Sequence, residues 1–320
     1  MYKYLSLLLF ASLFLAAVTL SAQDEDVPED DSEQDAGPWK TSGNLNITGS
    51  RVKLTNWQAG GENSIAVNGF FAYKVDYKKE NITWNNFVEA AFGASRLAGS
   101  EYQKTSDRYE IGTKLGYKLN NHWDATAFST FRTQFTEGFN IDPQTDERRR
   151  ISHAFAPAYL FGGLGGEYEP TDWFQINIAP LSTRITHVRI QQLADQGAFG
   201  VQEAEFDDQG NKIADGKNTR HEFGGYVKIW LRKEIFEDVT VETKADFFSN
   251  YIENPENLNV TWDVMINMKV NSWLSANLTT NLIYDDDIPI QIGTDAEGNP
   301  ITGPRTQFKQ VFGVGLAIDF

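Results

Sequence analysis

The sequence contains no cysteine among its 320 residues. This absence excludes disulfide bonds, a thiolate nucleophile and cysteine-based metal sites. It also excludes a lipoprotein anchor, because that anchor needs a cysteine directly after the signal peptide. Histidine is scarce too, and His122, His153, His187 and His221 show none of the spacings typical of metal sites. We therefore predict neither a metal site nor a cofactor.

The sequence also lacks a basic stripe. The formal net charge is −16, and the stretch from Asp24 to Asp35 contains eight acidic residues and no basic one. A chain of this charge is not expected to bind nucleic acid. Residues 23–38 hold two prolines and too little apolar surface to fold. We predict a disordered, acidic periplasmic leader here, and a specific partner-binding tail is the alternative.

Only one long, predominantly apolar run occurs, from Leu5 to Leu20. Lys3 precedes the run, and Ser21 and Ala22 follow it, which is the order typical of a secretory signal peptide. A transmembrane anchor is the alternative, but the run is short and an acidic segment follows it. We predict that residues 1–22 are a signal peptide, cleaved after Ala22.

The rest of the chain has no continuous apolar span. Apolar residues make up 41% of the sequence and the mean hydropathy is −0.42, which would suit a soluble protein. A β-barrel, however, alternates polar and apolar faces and does not need a continuous apolar run. The class of fold must therefore be read from the periodicity of the sequence.

The last fifteen residues, 306–320, show this periodicity most clearly. Even positions from Phe308 to Phe320 are mostly large and apolar, whereas odd positions are mostly small or charged. A period of two predicts a β-strand that meets water on one face only. A C-terminal Phe320 with apolar residues two and four positions earlier resembles the closing strand of a bacterial outer-membrane β-barrel. In such proteins the barrel-assembly machinery recognises this strand.

Alternating segments recur along the chain after Trp39. The predicted strands are residues 39–54, 63–77, 82–97, 107–119, 123–136, 151–168, 173–188, 220–235, 239–251, 259–270, 273–284 and 306–320. A phase slip between Ile47 and Val52 suggests a bulge near Gly49. We predict an all-β fold: one transmembrane, antiparallel up-and-down β-barrel of about twelve strands over residues 39–320, closed by the C-terminal strand.

The connections between these segments alternate in length. They are short after the even-numbered strands and long after the odd-numbered ones, as in outer-membrane barrels with tight periplasmic turns and extended outer loops. Aromatic residues concentrate near the predicted strand ends, where amphipathic rings sit at headgroup level. These features predict export to the outer membrane of a Gram-negative bacterium.

Charged residues recur on the face opposite the apolar one, which would line the interior. The lumen candidates are Arg108, Glu110, Lys114, Asp124, Arg132, Glu222, Lys228, Arg232, Glu242, Lys244, Asp246, Asp263 and Lys269. Opposite charges fall on neighbouring strands, where cross-strand pairing is feasible. Two interpretations remain open: a structural ion-pair network that fills a narrow lumen, or a polar conduit that selects a solute.

Two charged runs lie at the predicted outer rim. Asp285, Asp286 and Asp287 are candidates for cation binding, and Arg148, Arg149 and Arg150 could bind lipopolysaccharide phosphates. In both cases a solvated surface run is the alternative.

An enzyme is the weakest candidate class. Outer-membrane phospholipases need a His and a Ser two residues apart on one strand face. Here Ser152 and His153 are adjacent and are predicted to point to opposite faces. We therefore expect no catalytic activity.

Four short motifs resemble a family of Bacteroidota secreted proteins known only as a domain of unknown function. They are residues 56–63, 156–160, 193–200 and 282–287. The resemblance covers the chain after Trp39 and implies an outer-membrane barrel, but it implies no activity or catalytic residue. The first motif contains Trp57, Gly60, Gly61 and Glu62. Its glycines are expected to supply a turn, and a ligand-binding role is the alternative.

Taken together, the patterns predict a narrow, porin-like channel or carrier for a small polar solute. A non-conducting structural or interaction barrel, with its outer loops as the contact surface, is the alternative. The expected partners are outer-membrane lipid, lipopolysaccharide and the barrel-assembly machinery.

Overall fold

The computed structural model describes residues 37–53, 63–141, 148–288, 290–294 and 300–319. Twelve antiparallel strands form a closed barrel in which each strand pairs with its neighbours along the chain and the last strand pairs with the first. This architecture confirms the predicted twelve-stranded antiparallel barrel. The predicted signal peptide, the leader up to residue 36, the motif residues Trp57, Gly60, Gly61 and Glu62, and Phe320 lie outside the described residues.

Eighteen strands and two short helices are described. The barrel strands are β1 (Trp39–Val52), β2 (Ser64–Lys79), β3 (Ile82–Leu97), β4 (Gln103–Lys118), β5 (Trp123–Thr133), β8 (Ala158–Thr171), β9 (Phe174–His187), β12 (Thr219–Phe236), β13 (Val239–Asn250), β14 (Asn259–Lys269), β15 (Leu274–Tyr284) and β18 (Gln307–Asp319). Three hairpins lie in the long connections: β6 (Gly138–Ile141) with β7 (Arg148–Ser152), β10 (Glu205–Phe206) with β11 (Lys212–Ala214), and β16 (Ile290–Thr294) with β17 (Pro300–Gly303).

The bulge predicted near Gly49 is absent. The pairing of β1 with β2 runs without a shift from Trp39↔Tyr77 to Val52↔Ser64. At the end of β1, Arg51 therefore lies on the outer, otherwise apolar face and Val52 on the inner, otherwise polar face, without any change of register. One-residue shifts occur instead in β4, beside Thr105, and in β9, beside Pro180. Proline has no N–H to donate to a ladder, so a bulge accommodates it.

The sixth predicted strand, residues 151–168, is wrong at its beginning. The barrel strand β8 starts only at Ala158, because the chain turns at residues 153–156 and Phe155 adopts a φ of 58°. Pro157 then provides no N–H for a ladder that would continue through it. The arginine run 148–150 lies as a result in the hairpin β6–β7 and not at the end of a barrel strand.

The connection between β9 and β12 folds into a compact unit. It contains a single-turn α-helix, α1 (Gln191–Ala194), a 3-10 helix (Ala198–Gly200) and the hairpin β10–β11. Its apolar centre is almost fully buried and consists of Ala156, Val188, Leu193, Ala194 and Val201. We call residues 188–219 the cap loop. No helix in the described ranges combines the length and the apolar character that a bilayer crossing needs.

Candidate functional site: the interior of the barrel

The strand register places all the predicted lumen residues on one face of the sheet. Cross-strand partners such as Glu110↔Arg132 and Lys228↔Asp246 have side chains on the same side, because directly paired residues share a face. Extending this rule from strand to strand adds the other candidates: Arg108, Lys114, Asp124, Glu222, Arg232, Glu242, Lys244, Asp263 and Lys269.

Contacts between strands that are not neighbours show that this face is the interior. Lys244 Nζ on β13 lies 3.9 Å from Glu89 Oε1 on β3, on the opposite side of the barrel. Lys309 Nζ on β18 donates to the carbonyl oxygen of Thr105 on β4 at 2.9 Å. Such contacts can form only across the lumen. The interior is therefore narrow enough to be spanned by single side chains.

Ion pairs line this interior on several strands. Lys114 Nζ lies 2.6 Å from Glu167 Oε1, and Arg132 Nε lies 2.8 Å from Glu110 Oε2. On the facing wall, Lys244 Nζ lies 2.9 Å from Glu242 Oε1. Paired charges of this kind avoid the cost of leaving an isolated charge in a confined space.

Among the described charged residues, Glu222 has the lowest overall exposure, and it lies near the end of the barrel that carries the long connections. Its side chain is 1% exposed, and Arg184 Nε donates to Glu222 Oε2 at 2.6 Å. Arg220 Nη2 lies 3.4 Å from Glu222 Oε1, and Arg184 Nη1 lies 3.5 Å from Asp285 Oδ2. Burial raises the pKa of Asp285, and the charge of Arg184 opposes that rise. Two arginines and two carboxylates thus form one cluster beneath the cap loop.

An aromatic layer fills the middle of the same wall. Phe161 and Tyr226 have ring centroids 4.7 Å apart, and Phe128 lies 5.5 Å from both rings. Phe248 extends the layer, with its centroid 5.9 Å from that of Phe161. Ser182 and the neighbouring Ala179 on β9 are small, so the rings of β8 and β12 can meet above them. This half of the lumen is closely packed.

Several interior charges nevertheless keep free surface. The side chain of Arg132 is 46% exposed, and those of Arg108 and Lys244 are each 32% exposed. Long side chains keep charged ends accessible only where water has room beside them. The interior therefore combines packed and hydrated parts.

Several interior charges were missed by the sequence analysis, among them Glu89, Glu167, Arg184 and Lys309. Glu89 shares its face of β3 with the apolar residues Phe87 and Ala91, so the alternation there does not assign an inside. Arg184 follows the bulge at Pro180, which interrupts the period of two. For Glu89, Glu167 and Arg184 the sequence does hold a signal, because each faces a charge of opposite sign on a strand nearby.

The rim arginines pair within the protein. Arg148 Nη1 lies 2.9 Å from Glu101 Oε2, and Arg150 Nη2 lies 3.2 Å from Glu137 Oε2. Arg149 Nη2 donates to the side-chain oxygen of Gln196 in the cap loop at 3.0 Å. These contacts tie the hairpin β6–β7 to neighbouring loops.

The three rim carboxylates of Asp285, Asp286 and Asp287 lie within 4.8 Å of one another. Asp287 accepts from Arg220, Asp286 accepts from Asn257, and Asp285 faces Arg184. Each carboxylate therefore already has a protein donor or cation beside it.

Ser152 and His153 do not form a catalytic pair in the described structure. Ser152 Oγ receives a hydrogen bond from Lys104 Nζ at 3.1 Å, while His153 Nδ1 lies 3.2 Å from the carbonyl oxygen of Ala154. Ser152 thus contacts a cation and not the imidazole that would activate it.

The outer face of the barrel is apolar and exposed. Large exposed side chains there include Val67, Ile111, Leu115, Leu164, Leu181, Phe312 and Leu316. Near the short connections, Trp39 packs on Tyr77 with centroids 4.8 Å apart, and Trp123 packs on Tyr168 at 5.1 Å. Aromatic side chains thus cluster at the strand ends that meet the short connections.

Similarity to known proteins is limited. The family described as "Protein of unknown function (DUF3078)" matches residues 50–139. No curated protein matches the sequence.

Several solved barrels are similar at low identity. The translocator domain of the autotransporter NalP from Neisseria meningitidis is 10% identical, with 99% of this chain and 98% of that chain covered and a TM-score of 0.39. An outer membrane channel from Pseudomonas putida F1 is 10% identical, with 92% and 100% covered and a TM-score of 0.39. Outer membrane phospholipase A from Escherichia coli is 11% identical, with 91% and 94% covered and a TM-score of 0.33. These values assign no function to this chain.

Proposed function

We propose that this chain is an outer-membrane β-barrel whose narrow, polar lumen conducts a small polar solute. An exposed apolar outer face is what a bilayer requires of a spanning barrel, and every strand edge must be closed in hydrocarbon. The twelve-stranded closed topology and the apolar exterior support this location.

The observation that carries the conduit is the accessibility of charges inside the barrel. Arg132, Arg108 and Lys244 remain a third to a half exposed although they lie on the interior face. Free volume beside these side chains is what a hydrated path through the lumen requires. Opposite walls meet at the Lys244–Glu89 contact, whose 3.9 Å separation is long for an ion pair.

Selectivity tests this proposal. Lys228 and Arg232 lie on the interior face, and Lys228 forms no ion pair among the described residues. We expect Lys228→Gln with Arg232→Gln to shift the reversal potential of protein-loaded bilayers under a salt gradient toward cation preference. Lys233→Gln on the outward side of the same strand is the matched control. An unchanged reversal potential in a conducting barrel would refute the lumen assignment.

A non-conducting barrel is the second candidate. The Glu222 cluster and the aromatic layer fill one side of the lumen, and the cap loop has its own buried apolar centre. Such a barrel would use the cap loop as a contact surface for another macromolecule. Absence of conductance from a demonstrably folded barrel would favour this candidate.

Export and partners belong to the same proposal. A signal peptide over residues 1–22, contact with lipopolysaccharide through the outer rim, and recognition of the closing strand by the barrel-assembly machinery fit an outer-membrane barrel. The sequence motifs further suggest a Bacteroidota source. We expect no enzymatic activity, because Ser152 contacts Lys104 and not a histidine.

A further inference from the structure

The boundary between the first and last strands is the shortest paired seam of the barrel. β1 and β18 form five residue pairs, from Asn44↔Asp319 to Thr48↔Gly315, whereas β1 and β2 form fourteen. Beyond Thr48, residues 49–52 pair only with β2, and residues 307–314 pair only with β15, within the described part of the chain. Regular pairing of the two strands therefore ends toward the long connections, although a Cβ atom built at Gly313 would still lie 2.9 Å from Thr48 Cβ.

We call the unpaired stretch between β1 and β18 the gap. It opens onto the apolar outer face of the barrel. Phe308 and Phe312, on the outer face of β18 beside the gap, are each 64% exposed. Main-chain N–H and C=O groups along an open edge find no water in hydrocarbon. Irregular backbone at that depth is tolerated only where it borders protein or a water-filled cavity. An opening between β1 and β18 would be such a border.

The ammonium group of Lys309 lies directly behind the gap. Lys309 points inward, and its Nζ donates to the carbonyl oxygen of Thr105 at 2.9 Å. Lys309 forms no ion pair with any described residue, and Arg108 follows Thr105 by three residues on the same wall. Val311 and Gly313 share the inward face of β18 with Lys309. The β18 edge of the entrance is thus small and apolar, whereas the β1 edge carries Ser50 and Arg51. The inner end holds Lys309 and Arg108, of which Arg108 also pairs with Glu89 at 3.1 Å.

We propose that this gap is a lateral opening through which a single-chain anionic amphiphile enters the lumen from the bilayer. The carboxylate head binds Lys309 and Arg108, and the apolar chain passes between residues 49–52 and 311–314. The shorter edge, four residues long, spans about 13 Å along the strand, which is long enough for an acyl chain to pass. The proposal depends on the barrel lying in a bilayer, as proposed above, but not on conduction along the lumen.

Engineered cysteine pairs test the opening cleanly, because the native sequence has none. Ile47→Cys with Leu316→Cys places both cysteines at an observed register pair. Gly49→Cys with Val314→Cys places them where the same register would continue. In vesicles, we expect the first pair to cross-link rapidly under mild oxidation and the second pair to cross-link little. Equal cross-linking would show a closed seam and overturn the proposal.

Ligand entry is tested with a fluorophore attached to Val311→Cys and a chain-brominated fatty acid as the quencher. We expect quenching at Val311 and none at Thr130→Cys, which lies on the interior face of the distant strand β5. Lys309→Gln should weaken the quenching affinity about tenfold, the loss expected for one charge-assisted hydrogen bond. The uncharged methyl ester of the fatty acid should bind to the wild type as weakly as the fatty acid binds to Lys309→Gln.

Equal quenching at both labels, or an unchanged affinity in Lys309→Gln, would contradict the amphiphile site. Insertion is checked separately by the heat-shifted gel mobility of the labelled barrels. A barrel that inserts but does not conduct would refute the polar conduit and leave this test intact.

Discussion

At the scale of single residues, Glu222 is the charge on which the upper interior depends most. It is nearly inaccessible to solvent and faces the guanidinium groups of Arg184 and Arg220. Removing its charge would leave two buried cations with less compensation. Breaking a buried pair costs more than breaking a surface pair, because the remaining charge cannot return to water.

We therefore expect Glu222→Gln to lower the free energy of unfolding by about 3 kcal/mol. Glu101→Gln is the control, because Glu101 also pairs with an arginine, Arg148, but is largely exposed. This variant should lower the free energy of unfolding by less than about 1 kcal/mol. Urea unfolding of the barrel in detergent micelles measures both values. Equal losses in the two variants would mean that the cluster does not stabilise the barrel.

A second residue on which stability depends is Gly315, at the seam between β1 and β18. A Cβ atom built there would lie 2.1 Å from the carbonyl oxygen of Ile47, so the backbones of β1 and β18 would have to move apart. We expect Gly315→Ala to lower the free energy of unfolding by about 1–3 kcal/mol, the loss typical of overpacked sites. The readout is the temperature at which the folded band disappears in a heat-modifiability gel.

Gly49→Ala on β1 is the matched control for this variant. Its Cβ would meet only Ala66 O, at an ordinary 3.9 Å. The folded band of this variant should therefore disappear at the wild-type temperature. A similar drop in both variants would indicate a loss of strand propensity and not a clash at the seam.

At the scale of elements, the carboxylate of Asp195 connects several parts of the cap loop. Asp195 accepts hydrogen bonds from Gln191 Nε2 at 2.7 Å, from Lys212 Nζ at 2.9 Å and from the Gly216 amide at 2.9 Å. These contacts, led by the one from Gln191, lower the pKa of Asp195 to about 2. They join α1 to the hairpin β10–β11.

The sign of this shift sets the pH dependence of the cap loop. The folded pKa lies below the value of about 3.9 for an unfolded aspartate, so the stabilisation is complete above that value. It is lost as the pH falls through about 2. We expect pepsin to cleave within residues 189–219 near pH 2 and to leave them intact near pH 4.

Two variants check that Asp195 is responsible. Asp195→Asn should already be cleaved at pH 4, whereas Asp215→Asn should behave as the wild type. Asp215 also pairs with Lys212, but its side chain is largely exposed. Cleavage of both variants alike would assign the effect to Lys212 alone.

The elements also show how far the sequence could be read. The alternation of polar and apolar residues was enough to predict the twelve barrel strands, because each has one mostly apolar face. The start of the sixth strand could not be read, because Arg148–Ser152 alternate well enough to join the barrel but pair with β6 instead. Pro157 was the available signal, since proline rarely continues a central strand.

Interior contacts were less accessible to sequence analysis. The face of each lumen candidate follows from strand period, but the Lys244–Glu89 contact depends on how closely opposite walls approach. That distance is set by barrel size and by large side chains such as Phe161 and Tyr226. Neither the seam length nor the cap loop leaves a periodic pattern, so neither could be predicted.

At the scale of the whole molecule, the barrel has an apolar outside and a charged inside. The inside is crossed at one level by Lys244 and Glu89 and filled on one side by aromatic rings. A conduit through such a lumen must be narrow, and its conductance must depend on the residues that cross it. A sealed barrel would not respond to changes there.

Single-channel conductance of the folded protein in a planar bilayer tests this account most directly. We predict small, discrete openings in the wild type and a larger unit conductance in Lys244→Ala, which removes the crossing contact. Lys118→Ala removes the same charge near the short connections and should leave the unit conductance close to that of the wild type. Silence from all three folded barrels, or equal increases in both variants, would contradict a lumen constricted by Lys244 and Glu89.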